Sequence, residues 1–414
     1  MKNSVSANIR GPKMHRFIDP GTITSVKGIK AAGIFCGIKK KRKDLALIVS
    51  DEPCSAAGTY TLNKVKAAPL LLTQKTVKSG GKVKAVLINS GNANACTGDE
   101  GYKDALNMQK WCAEKLNLDS SEVLIASTGV IGQKLPVEKI GSGLDEIIPQ
   151  LSSQGGFDAA EAIMTTDTKQ KNFAVKVQLS GGEAVIGGIC KGSGMIAPNM
   201  ATMLGFIATD AAIKNELLQS ILSSSVKKSF NRISVDGETS TNDMVILMAN
   251  GMSGAEVKDG SDDQKKFEAA LTDLCIEMAK SIVSDGEGAT KLVTLNIKNA
   301  KSVDDADLVG KSIANSSLVK TAIYGADANW GRIISAAGQS GAEFEPENVS
   351  ISFDELPVLK PGYEVIVNEE AATEILSKNQ FIINVDLGSG DKNSTWWTCD
   401  FTEGYIKINA SYRT

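Results

Sequence analysis

Thr, Asn, Gly and carboxylate side chains gather in a series of loops along this sequence. They are INSGNANACTG (88–98), ASTGVIG (126–132), MTTDT (164–168), KGSGMIAPNMATML (191–204), SVDGETSTND (234–243), SDGEGATK (284–291) and YGADANWGR (324–332). These fall at predicted strand ends, where binding and catalytic sites are commonly built. Hydroxyls, amides, lysines and carboxylates of this kind can grip a small polar substrate. Singly, each loop says less. Glycine there requires only a positive φ or a close approach, and SDGEGATK lacks the GxxxxGK[ST] spacing of a phosphate-binding loop.

The histidine count narrows the chemistry. His15 is the only histidine in 414 residues and lies in a polar, Pro-flanked start. Metal sites built on several histidines are excluded, and a Ser-His-Asp or Cys-His set could form only around His15, which is expected to be solvated. Any catalytic base must be something else. Thr202, in APNMATMLGF (197–206), follows the breakers Gly194, Pro198 and Asn199. On its own it reads as a cap or packed hydroxyl at a loop-to-helix transition. Thr128 and Gly129 on their own read as a strand-terminating turn, and Glu287 as a solvated turn carboxylate.

Composition bounds the partners. With 45 basic and 48 acidic side chains and a formal charge of -3, nothing points to nucleic acid or an anionic membrane, so the substrate is expected to be small. The seven cysteines are scattered singly, without the spacings of a zinc site or a disulfide framework, as befits reduced thiols. No cofactor or metal is expected. The start lacks the apolar core of a secretory signal, and no run of about eighteen apolar residues could span a membrane. A cytoplasmic location is the expectation.

Around the loops, the pattern predicts α/β layers. β-like runs are DLALIVS (44–50), AGTYTLN (57–63), VKAVLINSG (83–91), EVLIAST (122–128), MVILMAN (244–250), LVTLNIKN (292–299) and FIINVDLG (381–388). The alternation on either side of Ser180-Gly181-Gly182 predicts a hairpin that delivers Lys191. Helical spacing marks 101–118, 210–230 and 264–283. The basic run KKKRK (39–43) reads as a solvated hairpin tip. TWWTCDFTEGYIKINA reads as a closing hairpin, with EGYIKINASYRT a β pattern tied down near a site. At this length two domains are expected.

Jointly, the loops resemble the glutamate N-acetyltransferase family, which includes the ornithine acetyltransferases of arginine biosynthesis. The likeness runs from GIKAAGIFCGIK (28–39) to the terminal INASYRT and is most specific in KGSGMIAPNMATMLGFIATDA (191–211). It implies self-cleavage between Ala201 and Thr202. Residues 1–201 would form an α chain with the N-terminal lobe and oxyanion hole; residues 202–414 would form a β chain, the C-terminal lobe, opening with the nucleophile Thr202. The implied fold is α/β, α+β layered and two-lobed, like that of ornithine acetyltransferases and self-processing aminopeptidases. An N-terminal threonine answers the missing histidine, because its α-amino group, titrating near ~7.7–8.0 in peptides, is a built-in base. Its branched side chain also restricts χ1.

The resemblance further implies ping-pong transfer of an acetyl group from N-acetylornithine to glutamate through acetyl-Thr202. Thr128 and Gly129 would form the oxyanion hole. Thr165, Lys191, Thr202, Glu287, Asn409 and Thr414 would bind substrate, with Lys191 on the α-carboxylate and Glu287 on a cationic amine; Thr166 is a neighbouring candidate for the role of Thr165. Asn92, Asn94, Asp236, Asp327 and Arg332 are expected to buttress loops or assist cleavage. An α2β2 assembly is implied. Use of acetyl-CoA stays open, since no adenine-recognising motif is evident. A self-processing hydrolase and a non-enzymatic ligand-binding scaffold are the rival readings.

Overall fold

The β-like runs at 44–50 and 57–63 belong to a single 16-residue strand. The computed structural model describes residues 15–197 and 203–410. Ala201, Thr202 and Thr414 therefore lie outside the described residues. The strands in chain order begin β1 (His15–Ile18), β2 (Ile29–Ile34), β3 (Leu45–Tyr60), β4 (Val83–Asn92), β5 (Val123–Val130), β6 (Lys171–Leu179), β7 (Gly182–Lys191) and β8 (Leu204–Thr209). Next come β9 (Ile233–Ser234), which joins a second sheet, and β10 (Met244–Ala249), which returns to the first. The first sheet runs β1-β6-β7-β8-β10-β3-β4-β5, with β2 paired to β3.

Alternate residues of these strands enter different cores. Along β4, Val83, Val86 and Ile88 join one cluster while Ala85 and Leu87 join another, under α2 (Gly98–Leu116) and α3 (Val137–Ile147). Burial on both faces explains the near-continuous apolar runs of the central strands. A third cluster packs α5 (Asn215–Lys227) and α6 (Asp262–Ser284) near β6 and β7. The remaining N-terminal helices are α1 (Ala68–Lys78) and α4 (Gly156–Ala162).

The second sheet holds β9 with β11 (Leu292–Ala300), β12 (Ser350–Phe353), β13 (Leu356–Lys360), β14 (Glu364–Val365), β15 (Gln380–Asp386) and β16 (Lys392–Cys399), in the order β14-β13-β12-β15-β11-β16-β9. Its core is completed by residues of α7 (Val303–Asn315), α8 (Ser317–Tyr324), α9 (Trp330–Gly338) and α10 (Glu369–Leu376). The protein is thus mixed α/β with two sheets. The sheets do not divide at 201/202, because β8 and β10 insert between β7 and β3. Among the described residues no helix is long and apolar enough to cross a membrane.

The 171–191 hairpin forms as its alternation predicts, closing at Leu179↔Gly182. Other expectations need correction. The segment after Met203 enters strand β8 and not a helix; all six of its residues are buried, so two-sided burial favours a strand. The terminal segment is a helix, α11 (Glu403–Asn409), and β16 pairs with β11 instead of with it. Thr402 caps that helix by accepting the Gly404 N–H at 3.0 Å, and the Phe401 ring packs at a tilt on Tyr405 one turn on, with centroids 4.5 Å apart. His15 is not solvated: its ring meets Asp273 of α6 at 3.0 Å because β1 lies against β6. The basic run is the exposed β2–β3 hairpin tip at Lys40, Lys41 and Arg42, as expected, but its two ends are tied down. Asp44 gathers it by accepting the Cys36 and Lys39 N–H groups, Lys39 donates to the Met164 carbonyl, and Lys43 pairs with Asp158 and Glu161.

Candidate active site

Two strand ends and three loops converge beside this first sheet. Parallel β4 and β5 lose register at Gly91↔Gly129. Gly129 takes φ +136°, and a Cβ there would lie 2.3 Å from the Gly91 carbonyl carbon, so the turn accepts only glycine. Thr128, just before it, is buried, and its Oγ1 accepts a hydrogen bond from Lys191 Nζ at 3.4 Å. Lys191 ends β7, opposite Leu204 of β8. Burial lowers the Lys191 pKa, as does the neighbouring Lys171; the charges of Asp167, Asp243 and Glu287 oppose this without cancelling it.

Below Lys191 lies a dense carboxylate network. Lys171 Nζ meets Asp167 at 2.7 Å and Asp285 at 2.6 Å. Burial alone would lower the Lys171 pKa, but the two carboxylates raise it. Burial likewise pushes the Asp167 carboxyl up, yet Lys191, Lys171 and the Gly192 N–H at 2.7 Å together hold it well below the usual carboxylate range. Asp167 also accepts the Thr165 N–H at 3.0 Å, and Asp285 the Thr168 N–H at 3.0 Å. The loops 164–168, 191–194 and 284–288 are thereby tied into one frame, with the Ser193 hydroxyl on the Asp285 carbonyl at 2.6 Å.

This frame walls a cavity of about 360 Å³ lined by Thr128, Gly129, Thr165, Thr166, Lys191, Gly194, Ser240, Asn242, Glu287 and Asn409, among others. Thr128, Gly129, Thr165, Lys191, Glu287 and Asn409 are thus brought together from both halves of the sequence. Asn409 donates to Glu287 Oε2 at 2.8 Å. A Cβ on Gly194 would sit 2.3 Å from the Glu287 carboxylate, so glycine at 194 leaves room for that group. The lining offers a hydroxyl and an ammonium to an anion, and a carboxylate to a cation. The pairing suits an amino acid.

The supporting positions separate into two groups. Asp236 holds the approach to residues 198–202 by accepting the Met195 and Ile196 N–H groups at 2.6 and 2.8 Å. Asn92 and Asn94 fasten neighbouring loops through the Gln133, Lys134 and Gly101 carbonyls. Among the described residues, Asp327 and Arg332 bond locally instead, to Asn329 and to Leu318 and Thr321, outside the cavity. Loop composition pointed to the right segments but not to Asp167, Lys171, Asp285, Asn242 or Asp243. Asn242 donates to the Ala93 and Ser127 carbonyls, joining the 240s loop to β5. Asp243 accepts the Met203 N–H at 3.0 Å and is held well above the usual carboxylate range by complete burial. The Asp167/Lys171 spacing of four residues was the available signal.

Known proteins match this chain over nearly its whole length. Residues 30–414 match the ArgJ family. The arginine biosynthesis bifunctional protein ArgJ of Chlorobaculum tepidum is 52% identical over 389 residues, 94% of this chain and 96% of that protein. Its counterpart from Listeria monocytogenes serotype 4b is 46% identical over 395 residues, 95% and 99% of the two chains. A crystal structure of the Bacillus halodurans ArgJ protein matches with a TM-score of 0.43 at 44% identity, covering 45% of this chain and 98% of that one. With the family matched over residues 30–414 and relatives about half identical over more than nine-tenths of its length, this chain belongs to the ArgJ family.

Proposed function

We propose that this chain is an acyltransferase of arginine biosynthesis that moves the acetyl group of N2-acetyl-L-ornithine to L-glutamate. The observation that carries the reading is the cavity, whose lining brings groups for an anion (Thr128, Lys191) and a group for a cation (Glu287) together with Gly129. The names of the relatives, arginine biosynthesis bifunctional proteins, agree with it.

In this reading the chain cuts itself between Ala201 and Thr202, freeing the Thr202 amine. That amine takes the hydroxyl proton as Oγ attacks the acetyl carbonyl. The new C–O bond replaces the C–N bond, the proton passes to the departing amine of ornithine, and acetyl-Thr202 remains. Glutamate reverses the step with its own amine. Each tetrahedral oxyanion is met by the Thr128 hydroxyl and the Gly129 N–H. Since Lys191 donates to Thr128 Oγ1, the Thr128 hydrogen is free to point at the oxyanion. Lys191 binds the α-carboxylate, and Glu287 with Asn409 binds a cationic amine; Thr165 and Thr414 complete the grip. The cleaved chains assemble as α2β2 in the cytoplasm, and acetyl-CoA serves as a second acetyl donor.

Denaturing mass spectrometry is expected to find fragments meeting at Ala201 and Thr202. Incubation with N-acetylornithine and labelled glutamate is expected to give labelled N-acetylglutamate. Thr202→Ala abolishes cleavage and turnover, and Thr202→Ser retains part of each. A cleaved, active alanine variant overturns the assignment, and label-free acetate as the sole product makes the protein a hydrolase.

A further inference from the structure

The proposed reaction sets one site an electrostatic problem. Donor and acceptor must both place their α-amino nitrogen before the oxyanion donors and their α-carboxylate on Lys191, so their side chains leave in the same direction. Ornithine's side chain ends in an ammonium, glutamate's in a carboxylate. Glu287 suits the first and repels the second.

A second cavity, of about 340 Å³, lies against the first and shares Thr165, Thr166 and Glu287 as its wall. Its lining adds Arg42 together with Thr168, Ser193 and Gly288. Among the described residues lining the two cavities, the cations are Lys191 and Arg42. Lys191 is committed to the α-carboxylate in the reading above. Arg42 is exposed, has no ion pair among the described residues, and makes one long contact, Nη1 to the Asp167 carbonyl at 3.5 Å. Nearby Lys39 is spent on the Met164 and Lys43 carbonyls. Burial first, then the charges of Lys191 and Arg42, bring its pKa down to about 8 against the pull of Asp44 and Asp167.

We infer that Arg42, across the Thr165–Glu287 wall, is the specificity residue for the acceptor and binds the side-chain carboxylate of glutamate, while Glu287 receives the donor's ammonium. The guanidinium fork matches a carboxylate bidentately, which a lysine cannot reproduce. This inference rests on the acetyl-transfer reading, and its test separates the two.

Two measurements are made on cleaved wild type and on Arg42→Gln and Arg42→Lys. The first is the burst of ornithine released from N-acetylornithine alone. The second is the KM for glutamate at saturating N-acetylornithine. In Arg42→Gln the glutamate KM is expected to rise about tenfold, the scale of a partly exposed charge-assisted pair. Its ornithine burst keeps the wild-type rate, and Arg42→Lys recovers part of the glutamate KM. A glutamate KM within twofold of wild type overturns the inference, as does an ornithine burst slowed as much as the glutamate KM is raised. A wild-type protein that releases no ornithine overturns the acetyl-transfer reading itself, and this inference with it.

Discussion

Two buried lysines stand side by side at the open end of the β6–β7 hairpin, and the protein treats them in opposite ways. Lys171 touches two carboxylates within 2.7 Å and its pKa is raised. Lys191 has the Thr128 hydroxyl at 3.4 Å as its side-chain hydrogen-bond partner among the described residues, and its pKa is lowered. A charge buried with its full complement of partners serves the frame. One buried short of partners is held for a ligand that brings the missing charge.

Removing each ammonium separates these roles most sharply. Lys171→Met leaves Asp167 and Asp285 buried without their cation and is expected to cost about 3–5 kcal/mol of stability. Lys191→Met, an apolar replacement of an under-partnered charge, is expected to stay within about 1 kcal/mol of wild type. Urea unfolding of both variants checks this, and equal losses would dissolve the distinction. Thr128→Ala comes next. If Lys191 orients an oxyanion donor, turnover falls by about 10²–10³, with the unfolding midpoint unmoved. Unchanged turnover would place the oxyanion hole elsewhere. Smaller again is the binding effect of Lys191→Met: losing one charged hydrogen bond, about 1.5–3 kcal/mol, raises the KM for N-acetylornithine by roughly 10–150-fold.

Sequence reasoning reached these two lysines unequally, for a physical reason. Lys191 sits in a glycine loop at a strand end, a pattern that stands out locally. Lys171 opens a strand, and its partner Asp285 is 114 residues away; such pairing belongs to the fold. The same divide runs through the elements. The β6–β7 hairpin and α6 were legible because Ser180-Gly181 and the Phe267–Leu271–Leu274–Met278 stripe are local signals. The terminal helix resembles a strand in sequence because Ile406 and Ile408 fit alternation as well as Tyr405 and Ile408 fit helical spacing in so short a piece. Only the Thr402 cap with Glu403 behind it discriminates. The contacts of His15 and of the two ends of the 39–43 run, Lys39 and Lys43, are hidden from local pattern because their partners Asp273, Met164 and Asp158 all lie more than a hundred residues on.

The finest test of the comparison is pH. Lys191 has a pKa below the ordinary lysine value of 10.5, so it loses its proton earlier than Lys171, whose value is raised. In the window between the lowered value and 10.5 the unfolded chain binds the proton that folded Lys191 has released. The Lys191 contribution to stability therefore rises with pH there. Carboxylate binding needs the ammonium, so over the same window the KM for N-acetylornithine rises. Fold and affinity thus move in opposite directions. A bound carboxylate returns the charge, so the alkaline limb of kcat lies above that of kcat/KM. Lys191→Arg, charged throughout, is expected to flatten the KM profile. A wild-type KM that stays level through pH 10.5 would mean that Lys191 is not the carboxylate's partner and that both lysines belong to the frame.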